Sequence, residues 1–178
     1  MNAWELSILY WIRDNITNPI GDAVLPVLSS LANHGELWIC IALVLLCIPK
    51  TRKTGLTMAI AMIVGFLLGN LLLKNVVARI RPYDLATDVT LLVDRLSDYA
   101  FPSGHTLVSF EAATVLTVFH RRWGYAALSL ATVIALSRLY LFVHYPTDVL
   151  AGMVMGVGIG LGACWLVKKY SNKKNPAP

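Results

Sequence analysis

Long apolar runs separated by short charged breaks organise this chain. The runs fall at about Glu36–Pro49, Gly55–Leu73, Thr106–Phe119, Trp123–Phe142 and Thr147–Val167, and a helix needs about 20 mostly apolar residues to cross a hydrocarbon core. The first run is short for a crossing unless it begins upstream of Asn33–His34–Gly35, in Leu25–Ala32. Further upstream, Trp4, Ile8, Trp11, Ile12 and Ile16 recur at helical spacing opposite Asn2, Glu5, Arg13 and Asn15, the pattern of an amphipathic helix at a membrane surface. The alternative is half of a kinked sixth span, and the cost of placing Arg13–Asp14 in hydrocarbon stands against it. The expected fold is all-α: an integral membrane helix bundle of five to six transmembrane helices with an amphipathic N-terminal helix. It forms one domain over residues 1–178, with 1–35 as an interfacial or first-span region and 168–178 as a tail.

Composition agrees and removes other classes. Of the 178 residues, 57% are hydrophobic and 14% charged, and the mean hydropathy is +0.64, whereas a soluble domain has about 45–50% apolar and about 25% charged residues. No basic region precedes the late first apolar run, so no cleavable leader is expected. Cys40, Cys47 and Cys164 lie within apolar runs without CxxC spacing or neighbouring His ligands, which supports neither a disulfide framework nor a zinc site. The net charge of +5 does not point to nucleic acid, because the basic residues cluster between apolar segments rather than along a groove with interleaved aromatics. Lys50, Arg52 and Lys53 fill one break, Arg121 and Arg122 another, and Lys168, Lys169, Lys173 and Lys174 the tail. The positive-inside rule places all three in the cytoplasm, and five alternating spans put them on one side. Pro82–Phe101, with Asp84, Asp88, Asp94 and Asp98, and the turn near His144 are then expected at the extracytoplasmic face of the cell membrane.

Six basic residues stand outside these clusters: Arg13, Lys74, Arg79, Arg81, Arg95 and Arg138. On a helix of about 3.6 residues per turn, Lys74 and Arg81 fall on nearly one face, and Pro82 should end that helix. Two cations on one face with no acid between them repel unless an anion joins them, and phosphate is the natural candidate. Phe101–Pro102–Ser103–Gly104–His105 opens the next apolar run. There Gly104 lets backbone approach an anion, the helix start offers free N–H groups, Ser103 adds a hydroxyl, and His105 is placed to protonate a leaving oxygen. Arg138 ends one run, while His144 and Asp148 flank Pro146 at the start of the next. Asp148 is placed to hold the His144 imidazole by one nitrogen and leave the other free to attack phosphorus, and Arg138 offers a two-pronged donor.

Each piece alone has a plainer explanation: snorkelling cations for Lys74 and Arg81, a helix cap for Ser103–Gly104, hydrogen-bonded interfacial rings for the histidines, a helix-dipole partner for Asp148. All three groups nevertheless fall at one membrane face, and each brings a phosphate ligand or a titratable group.

In the pattern K-x6-R-P, P-S-G-H and S-R-x5-H-x3-D the chain resembles the type 2 phosphatidic acid phosphatase (PAP2) superfamily. It reads Lys74-NVVARI-Arg81-Pro82, Pro102-Ser103-Gly104-His105 and Ser137-Arg138-LYLFV-His144-YPT-Asp148, with every position matched and the first 35 residues outside the pattern. The resemblance implies phosphoryl transfer without a metal or other cofactor. In that scheme His144 is the nucleophile, Asp148 steadies its imidazolium, and His105 is the acid and then the base. Lys74, Arg81, Ser103, Gly104 and Arg138 hold the phosphate oxygens. The scattered aspartates of Pro82–Phe101 show no paired spacing that suggests a magnesium site. Glu111, an acid inside a span, lies outside the motif, and a structural or tuning role is expected for it.

A site at the outer interface of a membrane-buried chain calls for a substrate with its phosphate at headgroup level and its tail in the bilayer. The resemblance suggests undecaprenyl diphosphate, phosphatidylglycerophosphate or phosphatidic acid, and the outward-facing site inclines the choice to the first. Bilayer lipid is the expected partner, nucleic acid is not, and the motifs specify no oligomeric state. Two rivals stand beside this reading. A lipid-headgroup binding or transport protein explains the cations but not His144 beside Asp148, and a vanadate-dependent haloperoxidase shares the anion site but is soluble.

Overall fold

A computed structural model describes residues 3–174, with side chains through Ser171. Asn2, the side chains of Lys173 and Lys174, and the end of the tail lie outside the described residues. All regular structure among the described residues is helical.

The N-terminal helix α1 (Ala3–Asn15) turns most of its apolar stripe away from the rest of the protein. Trp4, Ile8 and Trp11 are exposed, while Glu5 and Leu9 are buried against the rest of the protein. The docking face is mostly apolar, with Leu9 buried and Leu6, Tyr10 and Ile12 packed against the core, and Glu5 is the one acid in it, where it finds a cationic partner. Asn18 caps α2 (Pro19–Ser30) by accepting from the Ile20 and Gly21 amides at 3.1 and 2.9 Å. A tight turn at Asn33–Gly35, where His34 and Gly35 both take positive φ, joins α2 to α3 (Glu36–Cys47). The two helices bend by 45° and together are long and apolar enough for one span.

Helix α4 (Arg52–Gly65) runs on through a π-helical stretch, Phe66–Leu73, into the single turn α5 (Lys74–Val77). A second turn, α6 (Pro82–Leu85), precedes a long loop to α7 (Gly104–Phe119). Helices α8 (Arg121–Tyr140) and α9 (Pro146–Lys174) complete the bundle. By length and composition, Arg52–Leu85 and Pro146–Ser171 suffice to cross a membrane, and the bent α2–α3 pair makes three. That is fewer than the five to six that hydropathy predicts. At 16 residues α7 is short, and α8 carries Arg121, Arg122 and Arg138.

Helix α7 is the axis of the molecule, with Thr106, Leu107 and every residue from Ser109 to Leu116 buried. Helix α9 lies against it through Gly152, Gly156 and Gly160, one per turn. A Cβ at these positions would come within 2.7 Å of the Ser103 carbonyl oxygen, 2.5 Å of that of Leu107 and 3.0 Å of that of Glu111. Small residues at this spacing let two backbones touch, and the contact fixes the start of α9 beside the start of α7. On the other side Trp38 of α3 donates its indole N–H to Ser109 at 2.9 Å, a buried bond. Outward-facing Leu43, Val44, Leu67, Leu71, Leu72, Val154 and Leu161 present the apolar exterior that a bilayer requires.

Candidate active site

Lys74 and Arg81 come together, though not along one helix. Pro82 holds the residue before it extended, so Arg81 has ψ 152°, and Ala78 in the left-handed region ends α5. Pro82 thus begins a helical turn rather than stopping one. The chain doubles back, and both cations reach a carboxylate that the sequence pattern did not supply, that of Asp98. Lys74 Nζ donates to Asp98 Oδ2. Arg81 Nη2 donates to Asp98 Oδ1 at 2.5 Å and Nε to the Asp98 carbonyl at 2.8 Å, while Nη1 reaches the Val143 carbonyl at 2.7 Å. Burial pushes the Asp98 carboxyl up, but its hydrogen bonds and charge pairing with Lys74 and Arg81 outweigh this and hold it below the ordinary carboxylate value.

His144 sits wholly buried in the turn between α8 and α9. Its Nδ1 lies 2.8 Å from the Ala100 carbonyl oxygen, which only accepts, so the ring proton belongs on Nδ1. Nε2 then carries the lone pair, 3.4 Å from Arg81 Nη1. Asp148 does not hold the ring directly: its Oδ2 stands 3.6 Å from His144 Nδ1 and accepts from the Tyr145 amide at 2.9 Å. Burial first, then the charges of Arg81, Arg138 and Lys74, push the His144 imidazole well below its usual value.

Ser103 and Gly104 open α7 beside these groups. The Ser103 amide donates to the Asp148 carbonyl at 3.1 Å, tying the two helix starts together. Ser103 Oγ accepts from Thr106 at 3.0 Å, which leaves its own hydroxyl hydrogen uncommitted. Gly104 packs against Asn70, and a Cβ there would lie 2.9 Å from Asn70 Oδ1. His105 Nε2 is 2.9 Å from Asn33 Oδ1 in the turn before α3. Lys74, Arg81, Asp98, Gly104, His105 and His144 share the wall of one cavity of about 770 Å³, whose remaining lining includes Ile39, Leu43, Ile63, Phe66 and Leu67. The cavity thus joins a cationic head to an apolar flank.

The sequence carries the same message as the cavity. The family model of the PAP2 superfamily matches residues 51–172. The chain belongs to the PAP2 superfamily. It is 34% identical over 129 residues to an undecaprenyl-diphosphatase of Sulfolobus acidocaldarius, an alignment covering 71% of this chain and 62% of that protein. Among solved structures it is similar to Aquifex aeolicus LpxE, at TM-score 0.81 and 27% identity over 92% of this chain and 96% of the other. It is likewise similar to a transmembrane PAP2-type phosphatidylglycerolphosphate phosphatase of Bacillus subtilis, at TM-score 0.75 and 26% identity over 99% and 88% of the two chains.

Within this PAP2 fold the remaining motif residue, Arg138, is buried at the end of α8, donates Nη1 to Ser29 Oγ of α2 and leaves Nε without a partner. An unpaired donor on a buried guanidinium is costly unless an anion meets it. Glu111 lines the cavity with both carboxylate oxygens unpartnered, packed where a Cβ on Gly65 would lie 1.7 Å from Oε1. No hydrogen bond joins it to the cation cluster. Among the described residues no group of three or more His, Cys, Asp or Glu side chains is arranged to hold a metal ion.

Several polar residues around the site carry no motif. Asp98 joins the cations, Asn70 abuts Gly104, Ser29 meets Arg138, and Arg79 and Glu5 approach Asp148 from behind. Arg79 is detectable as a cation left over from the positive-inside clusters, whereas Glu5 reads only as one member of the polar face of the first helix. Asp98 gives no such signal among four similar aspartates in one loop.

Proposed function

We propose that this chain is a metal-independent lipid phosphate phosphatase that works through a phosphohistidine at His144. The observation that carries the reading is the His144 tautomer: the Ala100 carbonyl accepts a hydrogen bond from Nδ1–H, and the Nε2 lone pair lies beside Arg81 at the cavity wall. Nε2 attacks phosphorus, the bond from phosphorus to the lipid oxygen breaks, and His105 gives that oxygen its proton. Water then attacks the phosphohistidine, His105 takes its proton back, and phosphate leaves with His144 neutral again. Lys74, Arg81 and Arg138, with the Ser103 hydroxyl and Gly104 amide, stabilise the equatorial oxygens during both steps, so charge balance calls for no further cation. Asp148 supports the imidazolium electrostatically rather than through a direct hydrogen bond. A phosphate entering the cradle displaces Asp98 from the Lys74–Arg81 pair.

The apolar flank of the cavity supports a lipid substrate, its tail lying along α3 and α4. Undecaprenyl diphosphate is the substrate proposed, with phosphatidylglycerophosphate and phosphatidic acid as alternatives presenting the same terminal phosphate. The relative named an undecaprenyl-diphosphatase favours the first choice, and so does the extracytoplasmic placement of the site proposed below. Phosphate release by the purified full chain in EDTA, across these three lipids, tests the reading. Release from a lipid phosphate supports it. Tight lipid binding with no release by the native protein overturns it in favour of a binding or transport role.

Five spans are proposed in the bilayer, with α7 and α8 among them, the α2–α3 pair bent as one, and the site extracytoplasmic. Single cysteines Asp94→Cys and Lys173→Cys in a Cys-free background should label differently with an impermeant thiol reagent on intact cells. Position 94 is expected to react and position 173 to be protected, and the opposite order contradicts the orientation. The depressed His144 value also predicts a pH response. Because the group is held neutral, the loss of kcat/KM caused by protonating His144 lies below its ordinary pKa of 6.5. An acid limb centred above pH 6.5 on kcat/KM that persists with substrates of different phosphate acidity contradicts this.

A further inference from the structure

The motif residues leave unexplained why α1 docks through a buried acid. Glu5 is 1% exposed, beside buried Leu9, on a helix whose Trp4, Ile8 and Trp11 face outward. Its Oε2 accepts from Arg79 Nη2 at 2.5 Å, and its Oε1 accepts from the Thr147 hydroxyl at 2.6 Å and the Thr147 amide at 3.2 Å. Arg79 uses its other arm on Asp148 Oδ1 at 2.5 Å and on the Thr147 hydroxyl at 2.7 Å, and its guanidinium lies 4.0 Å above the Tyr145 ring. Asp148 is thus gripped on Oδ1 by Arg79 and on Oδ2 by the Tyr145 amide, while Oδ2 faces His144 Nδ1 at 3.6 Å. Every contact in this chain of groups bears on the first turn of α9 and the turn that carries His144.

We propose that Arg79 and Glu5 are positioning residues that hold Asp148 behind His144, so that the N-terminal helix α1 completes the active site. The inference rests on the phosphatase reading above. Neither residue touches the cavity that would receive phosphate, and neither belongs to the matched motifs. A guanidinium between two buried carboxylates satisfies both, and removing it leaves two like charges facing each other without a cation. Asp148 would then turn away or lose its charge, and the imidazolium that forms when His144 attacks phosphorus would lose its counter-charge. Phosphate binding itself, through Lys74, Arg81 and Arg138, would not change.

That separation defines the test, made on the full-length protein with the lipid phosphate it hydrolyses. Arg79→Gln should lower kcat by about 30-fold or more while KM stays within about threefold. Arg79→Lys should recover part of the loss, because the charge returns without the two-armed geometry. The double variant Glu5→Gln/Arg79→Gln should be more active than Arg79→Gln alone, because the stranded Glu5 charge is gone. An Arg79→Gln enzyme with wild-type kcat overturns the inference. So does a loss that falls on KM, or a double variant no better than the single one. Wild-type protein that releases no phosphate from any lipid defeats the phosphatase reading instead, so the two failures are distinguishable.

Discussion

Replacing His144 by Asn or Ala should abolish turnover, with kcat down about 10⁴-fold or more, the scale on which loss of a nucleophile leaves only binding and electrostatic stabilisation. The change to Asn is the more informative. It is smaller than histidine and leaves the cradle of Lys74, Arg81 and Arg138 in place, so affinity for the lipid phosphate should persist while chemistry stops. Initial rates with the best lipid substrate and equilibrium binding of the same lipid, measured on one preparation, give the comparison. A His144→Asn enzyme retaining more than about a tenth of wild-type kcat would mean that water is attacking directly.

His105→Gln is expected to produce the second largest loss, and its size should depend on what leaves. General acid catalysis contributes about 10² to 10⁴ in rate. A lipid alkoxide leaving from phosphatidic acid needs the proton, and the full loss should appear there. A phosphate oxygen leaving from a lipid diphosphate needs it much less. With a diphosphate substrate the first step should therefore survive in the variant, and the second, in which His105 activates water, should fail. The signature is a burst of lipid monophosphate equal to the enzyme present, followed by near-arrest. Equal losses on monoester and diphosphate, without a burst, would remove His105 from both roles.

The helices were largely legible in the sequence because hydropathy reports burial in lipid directly. Four apolar runs became α3, α7, α8 and α9, and a fifth became α4 with its π-helical extension. Local backbone detail was less legible. The left-handed Ala78 breaks the helix that the Lys74–Arg81 spacing implied, and no residue in that stretch announces such a turn as glycine would. Lys74, Arg81, Gly104, His105 and His144 line one cavity, and the α7–α9 glycine contact brings the helix starts that carry Ser103 and Asp148 together beside it. What spacing could not reveal were partners distant in the chain. Glu5 meets Arg79 across 74 positions, and Asp98 reaches back 24 to Lys74. The exposed Trp4, Ile8 and Trp11 agree with the surface stripe read from the sequence, but that Glu5 turns inward beside Leu9 to meet Arg79 could not be read from helical spacing.

A covalent phosphoryl group on His144 can be trapped and located. The full-length protein in EDTA would be mixed with a lipid diphosphate labelled at its terminal phosphate, quenched within a turnover, and mapped by mass spectrometry under alkaline conditions that preserve phosphohistidine. Label is expected on the peptide containing His144, stable to base and lost in acid, stoichiometric with the burst in the His105→Gln enzyme. Full turnover with no label on that peptide, or label on another side chain, would contradict it.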